Sequence, residues 1–255
     1  MLLDKIVIPT LTFFNDDLSI NIQANLKYIE LLNQSKIKSI ILLGTTSEGV
    51  LISLEDKKTI IQLYVNNLNS DINIYLAPSV WSVKDFKYLM NLSNRINDIL
   101  FLPNSYFNRN EDELINYMYK IFDNSEKNIF LYHLPKNTNV SFSIDFIIKM
   151  KEKGLKIKGI KLSHSTLDDI ITYTSIGNFS ILFGSDKDII STLNKNSDFV
   201  VCQNISSSLH QLNDQNIQSI ANKNREYVKL SEYPKLKTLK LIINNYNSLF
   251  SSKVI

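Results

Sequence analysis

Short β-branched runs alternate with longer amphipathic stretches along this chain, and that rhythm leaves few folds open. The runs are Ile6–Leu11, Ser39–Leu43, Ile72–Ala77, Asp98–Leu102, Asn128–Tyr132, Ile157–Lys161, Ser180–Phe183 and Phe199–Gln203. Between them fall helical patterns such as Ile22–Leu32, Glu55–Leu68, Val83–Arg95, Glu111–Phe122, Ile144–Lys151 and Lys187–Leu193. Several start on good caps, with Ser53 ahead of Glu55 and Asp56, and Ser143 ahead of Asp145. Eight evenly spaced strands in about 200 residues is the count of a (β/α)8 barrel. An open doubly wound sheet generally carries fewer strands and a glycine-rich phosphate loop after the first. Here that segment, Thr12–Asp16, has no glycine. The chain therefore reads as α/β: a (β/α)8 TIM barrel over residues 1–222, with a short C-terminal helical extension over 223–255.

After the eighth run come two helical patterns, Leu209–Asn222 and a long one from about Arg225 to Phe250. The second places Leu236, Leu239, Ile243 and Tyr246 at helical spacing, and Pro234 predicts a break near its start.

With 255 residues the chain is long enough to bury a sizeable core. Its net charge of +3 is spread along the sequence without a basic block, which argues against nucleic acid as a partner. The lone cysteine, Cys202, rules out an intrachain disulfide and fits a reducing, cytoplasmic setting; it lies in an apolar run and reads as core. The N-terminus, with Asp4 early, reads as a first strand and not a signal peptide. No run approaches the roughly 18 apolar residues of a membrane span. His133, His164 and His210 form no metal-ligand pattern, so no metal is expected.

In a barrel of this kind the chemistry sits at the C-terminal ends of the strands. The sixth run closes on Lys161 and the fifth on Tyr132. If those strands are neighbours, an amine and a phenol meet at one edge. An interior amine is costly unless neutral or paired, and the neutral form is the one that attacks a carbonyl. Alone, Lys161 reads more readily as a strand-end lysine with its head in solvent, and Tyr132 as a strand cap. Together they point to Schiff-base carbon–carbon chemistry, with Tyr132 carrying protons. Gly44–Thr45–Thr46, after the second run, offers two hydroxyls and backbone N–H groups that can grip a carboxylate, although ordinary strand-to-helix turns look similar. Glu48 is expected to point away from that carboxylate or toward the subunit rim. Other strand-end candidates for substrate contact are Tyr106 and Arg109 after the fourth run, Ser163 after the sixth and Gly184 after the seventh.

These residues form an ordered set of motifs: GTTSEG after the second run, Tyr-x-x-Pro at Tyr132–Pro135, GIK ending at Lys161 and FGSD at Phe183–Asp186. From Ile6 to about Ser207 the chain resembles the dihydrodipicolinate synthase / N-acetylneuraminate lyase superfamily, pyruvate-dependent class I aldolases on (β/α)8 barrels. The resemblance implies that Lys161 forms the Schiff base, Tyr132 is the acid/base and Thr45–Thr46 bind the pyruvyl carboxylate. It also implies small 2-keto acid and aldehyde partners, no cofactor beyond the covalent Schiff base, and a homotetramer built as a dimer of dimers. Tyr106 resembles the tyrosine that the family places near its subunit interface.

The departures narrow the choice. Asn137 stands where dihydrodipicolinate synthases carry an arginine for a second carboxylate, although Lys136 adjoins it. Asn139 replaces the usual glycine, and the C-terminal region is shorter than the family norm. These features most resemble archaeal 2-keto-3-deoxygluconate aldolases, in which a position like Arg109 serves phosphorylated substrate. The expected activity is reversible cleavage of 2-keto-3-deoxygluconate, its 6-phosphate, or both. The alternatives are another lyase of the superfamily, either 4-hydroxy-tetrahydrodipicolinate synthase or N-acetylneuraminate lyase, and a catalytically inactive ligand-binding barrel.

Overall fold

A computed structural model describes residues 1–103, 110–163, 165–231 and 235–243. Eight parallel strands close into a barrel in sequence order: β1 (Ile6–Pro9), β2 (Ser39–Leu42), β3 (Asn73–Leu76), β4 (Asp98–Phe101), β5 (Asn128–His133), β6 (Ile157–Leu162), β7 (Ser180–Phe183) and β8 (Phe199–Val201). The strands are mostly a residue or two shorter than the apolar runs, because single ladder bonds carry the sheet past their ends. Thr10 N donates to Ile41 O at 3.0 Å beyond β1, and Cys202 N donates to Val7 O at 3.0 Å beyond β8.

Around the barrel lie α1 (Ile22–Gln34), α2 (Leu54–Asn67), α3 (Val83–Met90), α4 (Glu111–Phe122), α5 (Pro135–Thr138), α6 (Ile144–Glu152), α7 (Leu167–Thr174) and α8 (Ile189–Asn194). Ser53 and Ser143 cap α2 and α6 as their positions imply, accepting from Asp56 N and Phe146 N. Helix α3 stops at Met90, short of the predicted Arg95. The Arg95 guanidinium is spent on carbonyls at the end of α2, including Val65 O at 2.9 Å and Leu68 O at 2.6 Å. Helix α7, which the periodicity did not single out, is short and starts on a Thr166–Asp169 capping box.

Two further helices follow, α9 (Ile217–Leu230) and α10 (Lys235–Ile242). The predicted gap between Asn222 and Arg225 is absent, since α9 runs straight through it, and Leu209–Gln211 forms only a 3-10 turn. Pro234, Tyr246 and Phe250 lie outside the described residues.

The strand period of two divides the core. Ile129 and Leu131 of β5 and Ile160 and Leu162 of β6 face the helices in the outer core. Phe130 and Tyr132 face the barrel axis with Val7, Ile41, Tyr75, Leu100, Leu182 and Val201. Gly159 makes room for this filling. A Cβ there would sit 2.3 Å from Ser180 O and 2.7 Å from the Phe130 ring, which packs edge-on against Tyr75 at 4.9 Å between centroids. Two residues on, the inward position of β6 belongs to Lys161.

Candidate active site

The register of β5 and β6 pairs Tyr132 directly with Lys161. Both side chains are buried at the top of the inner core, with Lys161 Nζ 3.8 Å from the centroid of the Tyr132 ring. The Tyr132 hydroxyl lies 3.4 Å from Thr45 Oγ1. Burial alone would push the Tyr132 phenol up. The Lys161 charge, with hydrogen bonds to Lys161, Thr45 and Ser163, outweighs burial and holds the phenol below its ordinary value.

Thr45 and Thr46 belong to a 3-10 turn, Thr45–Ser47, that follows β2 on Gly44. Their amides open the turn and so have no carbonyl within it to bond. The turn is tight: Ser47 N and Gly49 N both donate to Gly44 O at 3.1 Å. Gly49 is required, because a Cβ there would lie 1.9 Å from Leu43 O. Two strands round the barrel from β2, Gln203, just past β8, donates from Nε2 to Thr46 Oγ1 at 3.0 Å. That bond leaves the Thr46 hydroxyl proton free to turn toward a ligand.

These groups enclose a cavity of about 190 Å³ lined by Thr45, Thr46, Tyr132, Lys161, Ser163 and Gly184, with Asn137, Leu134 and Gln203 among the rest of its wall. Gly184 is pressed against β6: a Cβ there would meet Ser163 Oγ at 2.5 Å. Gly44 shapes the turn and does not line the cavity. Tyr106 and Arg109 lie outside the described residues, as does His164. Gln203 closes the eighth apolar run of the sequence. The filter that found Lys161, a polar residue closing an inward-facing apolar run, points to it equally.

Glu48 is neither at the rim nor in the cavity. Its backbone is left-handed, with φ 58°, and its carboxylate is buried against Lys240 of α10, Oε1 to Nζ 3.3 Å. His133 faces away from the cavity, its Nδ1 accepting from Phe142 N at 3.4 Å, and burial lowers its pKa. Cys202 is buried in the outer core. Among the described residues no three His, Cys, Asp or Glu side chains gather as a metal site, and no helix is long and apolar enough to cross a membrane.

A second chamber of about 360 Å³ adjoins the first over the ends of β6–β8, sharing Gly184, Val201 and Gln203. Its acid, Asp186, is satisfied by Asn204 N and Nδ2, both at 2.8 Å, and by Arg225 at 2.7 Å. Lys235 also lines this chamber and forms no ion pair among the described residues; burial lowers its pKa.

The profile of the dihydrodipicolinate synthetase family matches residues 2–243. The 4-hydroxy-tetrahydrodipicolinate synthase of Methanothrix thermoacetophila is 27% identical over 180 residues, 69% of this chain and 60% of that relative's length. Among solved structures, a Ruminococcus gnavus sialic acid aldolase superposes with a TM-score of 0.83 at 15% identity, over 98% of this chain and 89% of the other. The Sulfolobus 2-keto-3-deoxygluconate aldolase in complex with D-KDPG superposes with a TM-score of 0.78 at 17% identity, covering 98% and 91%. At such identities the superpositions establish the shared barrel, and the profile match over nearly the whole chain establishes the family. The chain belongs to the dihydrodipicolinate synthetase family.

Proposed function

We propose that this protein reversibly cleaves 2-keto-3-deoxygluconate, its 6-phosphate, or both, to pyruvate and glyceraldehyde or its 3-phosphate. The observation that carries the reading is the in-register pair of Lys161 and Tyr132, facing one cavity with Thr45 against the phenol. In the cleavage direction the Lys161 amine adds to the C2 ketone and water leaves, giving a protonated imine. Tyr132, as phenolate, takes the C4 hydroxyl proton. The C3–C4 bond breaks, its electrons pass into the imine to form an enamine, and the aldehyde departs. Protonation at C3 and hydrolysis then release pyruvate and free the lysine. Thr45 and Thr46 hold the carboxylate throughout, and the chemistry needs neither metal nor organic cofactor.

The aldehyde end extends from the imine cavity into the adjoining chamber, past Gly184 and Gln203. Asn137 lines the first cavity, so no guanidinium fork stands there for a second carboxylate, which supports a hydroxylated chain over aspartate semialdehyde. Lys235 in the outer chamber supports a negatively charged terminus such as the 6-phosphate, with Arg109 and Tyr106 as further proposed contacts. The proposed assembly is the homotetramer that the family resemblance implies. The test is pyruvate release from a panel of 2-keto-3-deoxy sugar acids with and without the 6-phosphate. Release from this panel supports the reading. Activity confined to aspartate semialdehyde condensation or to N-acetylneuraminate overturns it.

A further inference from the structure

The turn that presents Thr45 and Thr46 carries left-handed backbone at both of its ends. Leu43 before it and Glu48 after it both adopt left-handed backbone, with φ 60° and 58°, which non-glycine residues accept only when their surroundings compensate. Gly49 closes it against Leu43 O so tightly that no side chain fits. A turn of this shape needs anchors beyond the Gln203–Thr46 bond. Ser47 Oγ donates to Thr10 O at 2.7 Å, tying it to β1. Ser79 Oγ donates to Leu43 O at 3.0 Å, tying it to the segment after β3. Another comes from outside the barrel: the Glu48 carboxylate meets Lys240 Nζ, with each side chain only 1% exposed.

Lys240 is placed for more than a surface contact. Its Nζ also lies 5.0 Å from the Phe14 ring centroid and 5.8 Å from that of Phe13, in the segment that follows β1. One ammonium on α10 therefore joins the C-terminal helix, the β1–α1 connection and the turn bearing Thr45 and Thr46. Replacing a buried ion pair with apolar groups is often tolerated by the fold, so stability alone is weak grounds for such a pair.

We infer that Lys240 is a positioning residue, holding Glu48 so that the Thr45–Thr46 turn keeps the shape that receives the pyruvyl carboxylate. Helix α10 thereby completes the site without touching the substrate. The inference rests on the Schiff-base reading proposed above.

The experiment traps the pyruvate imine with borohydride across a range of pyruvate concentrations. It uses the full chain, Lys240→Met and the double variant Glu48→Met/Lys240→Met, with thermal melts for each. Displacing the carboxylate grip should raise the half-saturating pyruvate concentration by about tenfold or more, with a smaller change in kcat. The double variant, which removes both buried charges, should melt closer to the parent yet keep the weakened pyruvate response. Parental half-saturation in a folded double variant would overturn the inference, as would failure of both variants to fold, which assigns the pair to stability. If the parent itself traps no pyruvate, the underlying Schiff-base reading fails instead.

Discussion

Tyr132 and Lys161 are partners in the parallel register of β5 and β6, and the lysine Nζ sits 3.8 Å from the tyrosine ring centroid. The relationship is a product of strand period. Both residues occupy inward positions at the same level of adjacent strands, so the sheet brings them together without any loop having to be placed. A nucleophile and a proton carrier built on strands are held more firmly than the same pair on loops.

Removing the phenol tests the division of labour. Tyr132→Phe keeps the ring that packs in the inner core and deletes the proposed proton carrier, and general acid–base groups contribute roughly 10²–10⁴-fold. Turnover should fall by about that factor while the imine at Lys161 still forms. Near-parental turnover, measured as pyruvate release, would hand the proton transfer to another group.

The ionisation of Tyr132 is coupled to its neighbour. Burial pushes the phenol up and the Lys161 cation, with its hydrogen-bond partners, more than cancels that push. The base form should therefore appear at lower pH than for an ordinary tyrosine, and the cleavage rate should rise with pH through that ionisation. In Lys161→Met only the burial and the remaining hydrogen bonds act, so the ionisation should move to higher pH. Ultraviolet titration, taken as the difference from Tyr132→Phe, isolates one of the 12 tyrosines. An unmoved midpoint would break the coupling.

Asn137 offers a gain-of-function test of substrate choice. Asn137→Arg adds a guanidinium at the cavity wall, and its pairing with a carboxylate would be worth about 1.5–3 kcal/mol. Relative kcat/KM for aspartate semialdehyde over glyceraldehyde in the condensation direction should rise by about ten- to a hundredfold. No change in that ratio would mean that position 137 does not read the aldehyde's tail.

Much of the architecture was legible because it is written as period. The apolar runs and capped helices give the strand order, and the ends of those runs give Lys161, Tyr132, Thr45 and Ser163. What stayed hidden depends on contacts distant in sequence. Arg95 leaves its helix for carbonyls of α2, and Gln203 reaches across to Thr46. Glu48 turns inward because its partner, Lys240, arrives 192 residues later. The continuity of α9 through Asn222–Arg225 was missed because those polar residues carry no apolar stripe to mark the helix.

The central claim is that Lys161 is the residue that joins covalently to pyruvate. The most direct measurement is mass spectrometry of peptides after borohydride reduction in the presence of pyruvate. One three-carbon acid adduct is expected, on Lys161, and none in a folded Lys161→Ala variant that has also lost turnover. A label on another lysine, or an active enzyme that takes no label, would contradict it.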